Sequence, residues 1–290
     1  MKLSTWLLVI SALCATGSGW AKTVVIDDFG VEISLDSPAQ RIISLAPHAT
    51  EVLFAAGAGD KVVGVVAYSD YPPAATKITQ VGGYTGFDME LILSLKPDLI
   101  VAWPSGNADG TVERLKSLGL TVYQSQPEEL TEVAANILKL GQLAATESIA
   151  REASNAFLQD YEQLKKQYSG RPRVKMFYQV WNKPLMTLNG QHLVSKVMNL
   201  CGADNVFAGL KTAAPKVSVE AVLMANPQVI MAGGRKGERP VWLADWEKWV
   251  QIDAVRNQHI YSIHADIINR HSPRILQGAR QMCELLDKAR

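Results

Sequence analysis

An α/β fold of two Rossmann-like lobes, each on a central, mostly parallel sheet, is predicted by three features of the 290-residue sequence. Short apolar runs alternate with helix-patterned segments, as in βα units. The order of those segments occurs twice. Between the two occurrences lies one long amphipathic stretch with a single apolar stripe, which reads as a helix joining the lobes.

The elements follow in chain order. Val24–Ile26 and Val31–Ser34 flank Asp27-Asp28-Phe29-Gly30 and predict a hairpin. Ile42–Leu45 reads as a strand, Thr50–Ala56 as a helix stopped by Gly57, and Val62–Val66 as the next strand. Leu91–Leu95 is helical and ends before Lys96-Pro97-Asp98, and Leu99–Trp103 and Thr121–Tyr123 are strands. Ser125-Gln126-Pro127-Glu128 has the form of a capping box that opens a helix. The joining helix starts near Glu147 and places Ile149, Ala153, Phe157, Tyr161, Leu164 and Tyr168 on one stripe before Ser169-Gly170-Arg171-Pro172 ends it. At about 1.5 Å rise per residue, its roughly 22 residues make a rod of ~33 Å. Strands at Val174–Val180, Val229–Ala232 and Ile260–Ile263 follow, with helices at Leu193–Leu200 and Ser272–Leu286.

The repeat is visible residue by residue. Glu90-Leu-Ile-Leu-Ser-Leu-Lys-Pro97-Asp-Leu-Ile100 aligns with Glu220-Ala-Val-Leu-Met-Ala-Asn-Pro227-Gln-Val-Ile230 at an offset of 130. Gly57-Ala58-Gly59-Asp60 and Gly64 are echoed by Gly202-Ala203-Asp204 and Gly209. The expected division is a signal peptide at 1–21, a first α/β lobe at 22–126, a helical segment at 127–170 and a second α/β lobe at 171–290. Two such lobes leave a cleft between them, near the carboxyl ends of their strands, where small ligands bind.

Composition narrows the function. Net charge is +1, with 48% hydrophobic and 20% charged residues, so there is no electrostatic footprint for nucleic acid or an anionic membrane. Lys2, the apolar run Trp6–Ala15, and small Gly19 and Ala21 before Lys22 have the form of a secretory leader cleaved after Ala21, placing the mature chain in the periplasm. Leu13 before Cys14 is too large for a typical lipoprotein signal. Cys201 and Cys283 then remain, an even count that suggests one disulfide in an oxidising compartment; two free buried thiols are the alternative.

Candidate site residues lie just after strand ends. Tyr68, Tyr71, Tyr84 and Trp103 supply flat rings suited to a large, flat, largely apolar ligand. In the second half Trp181 and Met186 follow one strand, and Asp266 and Arg270 follow another as a polar clamp. Glu90 and Glu220 open equivalent helices, which the helix dipole favours; as a matched pair they would also dock on cationic sockets of a partner. Of five histidines, His48 and His264 with Asp266 are the one set that would make a metal site, against a reading of scattered surface or core histidines. No nucleophile elbow, phosphate loop or paired metal motif is present, so an exported hydrolase using Asp70 or Asp266 has no motif behind it.

At Tyr68-Ser-Asp-Tyr-Pro-Pro73, at Glu90 with Lys96-Pro-Asp-Leu-Ile-Val-Ala-Trp103, and at His271-Ser-Pro-Arg274, the chain resembles the helical-backbone class (class III) of ABC-importer substrate-binding proteins, and within it the vitamin B12-binding branch. The likeness runs from about Arg41 to Leu286. It implies that Tyr68 and Trp103 line a corrinoid pocket, that Tyr84 stands where the family has a pocket Trp, and that Asp266 and Arg270 are polar pocket residues. It implies that Glu90 and Glu220 dock on arginines of a permease dimer driven by a cytoplasmic ATPase, and that Cys201 pairs with Cys283. Cobalamin would be cargo, not a cofactor, held by a protein that is monomeric when free and uses no metal of its own. The chain departs from the pattern at Ala214, where a pocket Trp is expected, and at Met186, where a Phe is expected, with Trp181 nearby to compensate. Those departures leave room for another corrinoid such as cobinamide. Haem, a ferric siderophore or a metal ion are the alternatives, with Tyr68 or Tyr84 as an iron ligand.

Overall fold

The first hairpin pairs β1 (Thr23–Ile26) antiparallel with β2 (Glu32–Leu35). Its turn is held by Asp27, whose Oδ1 accepts the backbone N–H groups of Phe29 and Val31, both at 2.9 Å. The computed structural model describes residues 22–83, 86–235 and 238–290; the leader, Tyr84 and its neighbour Thr85 lie outside that set.

The first lobe continues through β3 (Ile42–Ser44), α1 (Pro47–Ala55), β4 (Val62–Gly64), the short hairpin β5 (Gly82–Gly83) and β6 (Gly86–Phe87), α2 (Met89–Ser94), β7 (Leu99–Ala102), α3 (Thr111–Ser117) and β8 (Val122–Gln124). The order across its parallel sheet is β4-β3-β7-β8. All four residues of β7 are buried, as expected for a strand covered on both faces. Val52, Leu53 and Tyr123 pack on one face of the sheet, and Ile92, Leu115 and Val122 on the other.

Helices α4 (Leu130–Leu143) and α5 (Glu147–Tyr168) come next. The capping box lies four residues beyond the expected place: Glu129 is the N-cap and exchanges side-chain-to-backbone bonds with Glu132. The Ser125 hydroxyl is buried and caps no helix N–H, while its backbone N–H donates to Ala102 (2.8 Å), prolonging the pairing of β8 with β7. The 22 residues of α5 match the expected joining helix. Its buried stripe is turned slightly from the expected one. Ala150, Ser154, Phe157, Leu164 and Tyr168 are buried, whereas Ile149 is 54% exposed. Ala150 belongs to the first lobe's core, and Phe157, Leu164 and Tyr168 belong to the second lobe's core. The helix is therefore anchored at each end in a different lobe, and α4 packs beside it in the same way, with Leu130 in one core and Leu140 in the other.

The second lobe runs through β9 (Val174–Gln179), α6 (Leu193–Leu200), β10 (Ala203–Asn205), α7 (Val219–Ala225), β11 (Val229–Gly234), α8 (Asp253–Arg256), β12 (Ile260–His264), α9 (Ala265–Ile268) and α10 (Ile275–Asp287). Its sheet order, β10-β9-β11-β12, is again parallel throughout. The second strand lies outside the first, and the third and fourth follow on the other side, in both lobes. That shared topology is the structural form of the repeat seen in the sequence. Cys201, capping α6, is bonded to Cys283 of α10, closing a loop of 82 residues within the second lobe. Such a loop closure stabilises by about 2–4 kcal/mol, chiefly by restricting the unfolded chain.

Candidate ligand cleft

Strand ends from both lobes converge on one cleft of about 870 Å³. Leu45–Pro47 follow β3, Val66–Tyr68 lie beyond β4, Trp103 follows β7, and Val180 and Trp181 follow β9. The cleft thus lies where strand carboxyl ends meet. At this volume it sits near the upper end of small-molecule pockets and is lined mainly by apolar side chains.

Trp103 is held from behind. Its backbone N–H donates to the Asn107 side-chain oxygen at 2.8 Å, and the Asn107 amide donates to the Leu45 carbonyl at 2.8 Å. Gly106 lies against the face of the indole: a Cβ there would sit 2.0 Å from the Trp103 ring, so only glycine allows this close approach. His48 meets the indole edge-to-face at 5.0 Å between centroids.

Tyr68 is 67% exposed with its ring at the cleft, on a backbone at φ +67°. Left-handed backbone costs a non-glycine residue about 1 kcal/mol or more. The conformation is braced by Arg270, whose Nη2 donates to the Tyr68 carbonyl at 3.1 Å. Trp181 is 59% exposed, and its indole N–H donates to the Lys183 carbonyl at 3.0 Å. Met186 bridges to Trp181 and to Lys216 by short antiparallel contacts, presenting both side chains to the cleft.

Asp266 and Arg270, expected as a polar clamp in the pocket, pair with each other beside the cleft lining and not in it. Asp266 accepts from Arg270 at 3.1 Å, and Arg270 also donates to Asp70 at 2.8 Å. A further carboxylate, Glu51 on α1, accepts from Arg270 at 2.8 Å. It was not expected from the sequence, because an acidic residue inside a short helix reads as solvent-facing. In the fold it is 3% exposed. Phe87, Pro184 and the start of α1 also line the cleft without having been expected there. Ala214 is exposed and is absent from the lining, while Tyr84 lies outside the described residues.

The proposed trio of His48, His264 and Asp266 does not assemble. His264 caps α9, its Nδ1 accepting the Asp266 N–H at 3.2 Å, whereas His48 packs 5.7 Å from His271. His271 in turn lies 5.2 Å from His192. Among the described residues no group of three His, Cys, Asp or Glu side chains is arranged to hold a metal ion. Burial pushes the imidazoles of His48 and His192 down to about 4. It also drives His271 well below its ordinary value, with its two histidine neighbours acting the same way. The three rings are thus a neutral cluster of tilted and edge-to-face contacts between the lobes, with His48 and His271 buried and His192 half-buried. His259 stacks on Tyr261 elsewhere.

Glu90 and Glu220 are both exposed, each in the first turn of its helix, α2 or α7. Asp88 caps α2 by accepting the Leu91 N–H at 2.9 Å, and Ser218 caps α7 by accepting the Ala221 N–H at 3.2 Å. The two elements are equivalent in topology, since each immediately precedes the third strand of its sheet. The Glu220 backbone N–H and the Ser218 hydroxyl hold the Glu220 carboxyl below the usual carboxylate range.

The model of the periplasmic binding protein family matches residues 42–267. The chain belongs to that family. Over 250 residues it is 42% identical to a vitamin B12-binding protein of Vibrio cholerae serotype O1, covering 86% of this chain and 90% of that one. A vitamin B12-binding protein of Yersinia pestis is 37% identical over 246 residues, 85% and 86% of the two chains. The crystal structure of the periplasmic vitamin B12-binding protein of Vibrio cholerae superposes with a TM-score of 0.81 at 41% identity, covering 87% of this chain and 98% of that one. A periplasmic haem-binding protein of Roseiflexus shares the fold at a TM-score of 0.74 but only 21% identity, covering 87% of this chain and 100% of that one.

Proposed function

We propose that this periplasmic binding protein captures vitamin B12, or a closely related corrinoid, in the cleft between its lobes and delivers it to the permease of an ABC importer. The observation that carries the reading is the cleft itself. Tyr68, Trp103 and Trp181 bring large rings to one apolar space of about 870 Å³ from two different lobes. A broad, flat ligand gains most from such walls, through burial and stacking, without needing covalent or metal bonds to the protein. The named cargo of the relatives at 37–42% identity supports the same reading.

Cobalamin is cargo here, bound without chemistry, and the chain acts as a binding protein and not as an enzyme, like the relatives it resembles. Glu90 and Glu220, one exposed carboxylate on the matching helix of each lobe, are the docking points for a cationic permease surface. Paired rim charges set orientation and association rate more than affinity. The mature chain begins at Lys22 after a leader of residues 1–21, works in the periplasm as a monomer, and divides into lobes at 22–126 and 171–290 about the helical segment 127–170. Tyr84, which stands where the family has a pocket Trp, is assigned to the same set of cargo-binding residues.

Calorimetric titration of the chain from Lys22 onward with cyanocobalamin tests the reading. One-to-one binding at micromolar affinity or tighter, about −8 kcal/mol or better, is expected. Absence of heat, with haem binding in its place, would overturn the cargo assignment and move Tyr68 to the role of iron ligand.

A further inference from the structure

Among the described residues, every hydrogen bond made by the Glu51 carboxylate crosses between the lobes. Glu51 belongs to α1 of the first lobe, and its side chain is 1% exposed. Its Oε1 accepts from Arg270 at 2.8 Å and from Arg274 at 2.6 Å. Its Oε2 accepts from Arg274 at 2.9 Å and from the Ser272 hydroxyl at 2.6 Å. All these donors lie between residues 270 and 274, in the connection from α9 to α10 of the second lobe. A buried carboxylate is tolerated only when its lone pairs are satisfied in this way.

Arg270 continues the chain of contacts. Its other donors go to the Asp70 carboxylate and the Tyr68 carbonyl, so one guanidinium grips both ends of the Tyr68–Asp70 loop. Arg270 is only 10% exposed and is flanked by three carboxylates. Asp70, at 55% exposed, and Asp266, at 35%, are open to solvent, so the buried Glu51 is the member that fixes the guanidinium in place. Arg274, clamped by Glu51 as well, stacks on the Tyr71 ring at 3.9 Å, holding the next residue of the same loop.

We infer that Glu51 is a positioning residue for cargo capture: through Arg270 it holds the left-handed Tyr68 against the cleft, and so makes the aromatic wall of the first lobe depend on the placement of the second. This rests on the cargo-binding reading above, and the experiment separates the two.

In the mature chain, Glu51→Gln keeps the size of the side chain and removes its charge. Cyanocobalamin affinity is expected to fall by about tenfold or more, and Arg270→Ala is expected to cost nothing further in the Glu51→Gln background, as for two residues acting in series. Amide exchange at Ser69, whose N–H donates to Val66 in the same loop, is expected to rise without a matching rise elsewhere in the first lobe. Met282→Ala, a core truncation in the second lobe remote from this network, serves as the control for general destabilisation. It should lower Tm while leaving Ser69 exchange and affinity in place. Additive losses in the double variant, or Ser69 exchange unchanged in Glu51→Gln, overturn the inference. A wild-type chain that binds no cyanocobalamin sinks the cargo reading alone, because the Ser69 measurement needs no cargo. Should Glu51→Gln fail to fold, Glu51→Asp keeps the charge but is one methylene too short to span Arg270 and Arg274, and is judged by the same two readouts.

Discussion

Glu51 and Arg274 form a two-pronged ion pair across the lobe boundary, with Nε–Oε2 at 2.9 Å and Nη2–Oε1 at 2.6 Å. The residues are 223 positions apart and belong to different sheets' surroundings. The pairing is nearly dry, with side chains 15% and 1% exposed. Removing Arg274 takes away two charge-assisted bonds, while Arg270 and the Ser272 hydroxyl still hold the carboxylate. Arg274→Ala is therefore expected to destabilise the chain by about 1.5–3 kcal/mol, read from urea unfolding. A loss below about 1 kcal/mol would place the pair with ordinary surface bridges.

The indole of Trp103 rests on a glycine. Gly106→Ala would place a methyl 2.0 Å from the ring, and the flexible partner is the indole, which must rotate. An overpacking cost of about 1–3 kcal/mol in stability is expected. Weaker cyanocobalamin binding should accompany it, because the displaced ring is a wall of the cleft. Unchanged affinity by calorimetry would remove Trp103 from the set of cargo contacts.

The cluster of His48, His192 and His271 ties stability to pH. Burial holds these imidazoles neutral in the folded chain down to about pH 4 for His48 and His192. Released by unfolding, the same groups take up protons near 6.5. The unfolded state therefore binds more protons below pH 6.5, and stability falls as pH drops through that value toward 4. Between pH 6.5 and 5, before most carboxylates titrate, each histidine contributes a loss of up to about 2 kcal/mol. Glu51 opposes and Arg270 reinforces the shift at His48. Tm measured across this window is expected to decline, and the decline should be smaller in His271→Asn. A flat profile in the wild type would mean that the cluster is hydrated or charged.

Reduction isolates the contribution of the disulfide. Cys201 and Cys283 are both fully buried, in the core of the second lobe. Paired replacement by serine or alanine should lower stability by about 2–5 kcal/mol, with the alanine pair better tolerated than serine hydroxyls in an apolar core. The effect should be confined to stability, since neither residue lines the cleft. A change in cargo affinity at full folding would contradict that separation.

The repeated βα order, the joining helix from Glu147 and the aromatic residues after strand ends were legible in the residues because each is a local signal. Periodicity, turn chemistry and the helix–Pro–strand echo at Glu90 and Glu220 depend only on neighbours in the chain. Helix boundaries were less secure where two local signals competed: Ser125 carried the pattern of a cap, but a backbone bond to Ala102 kept it in the sheet. The partners of Glu51 and His48 were beyond such reasoning. An acidic residue on a nine-residue helix looks the same in sequence whether it meets water or two arginines. His48 was expected with His264 and Asp266, and packs instead with His271 and His192. The sequence by itself determined the α/β class, the repeated order of elements and the long helix between the two occurrences. Only the tertiary structure decided how the lobes are locked together, because that depends on side chains some two hundred residues apart meeting where water is excluded, and the electrostatics of a charge are set by that exclusion.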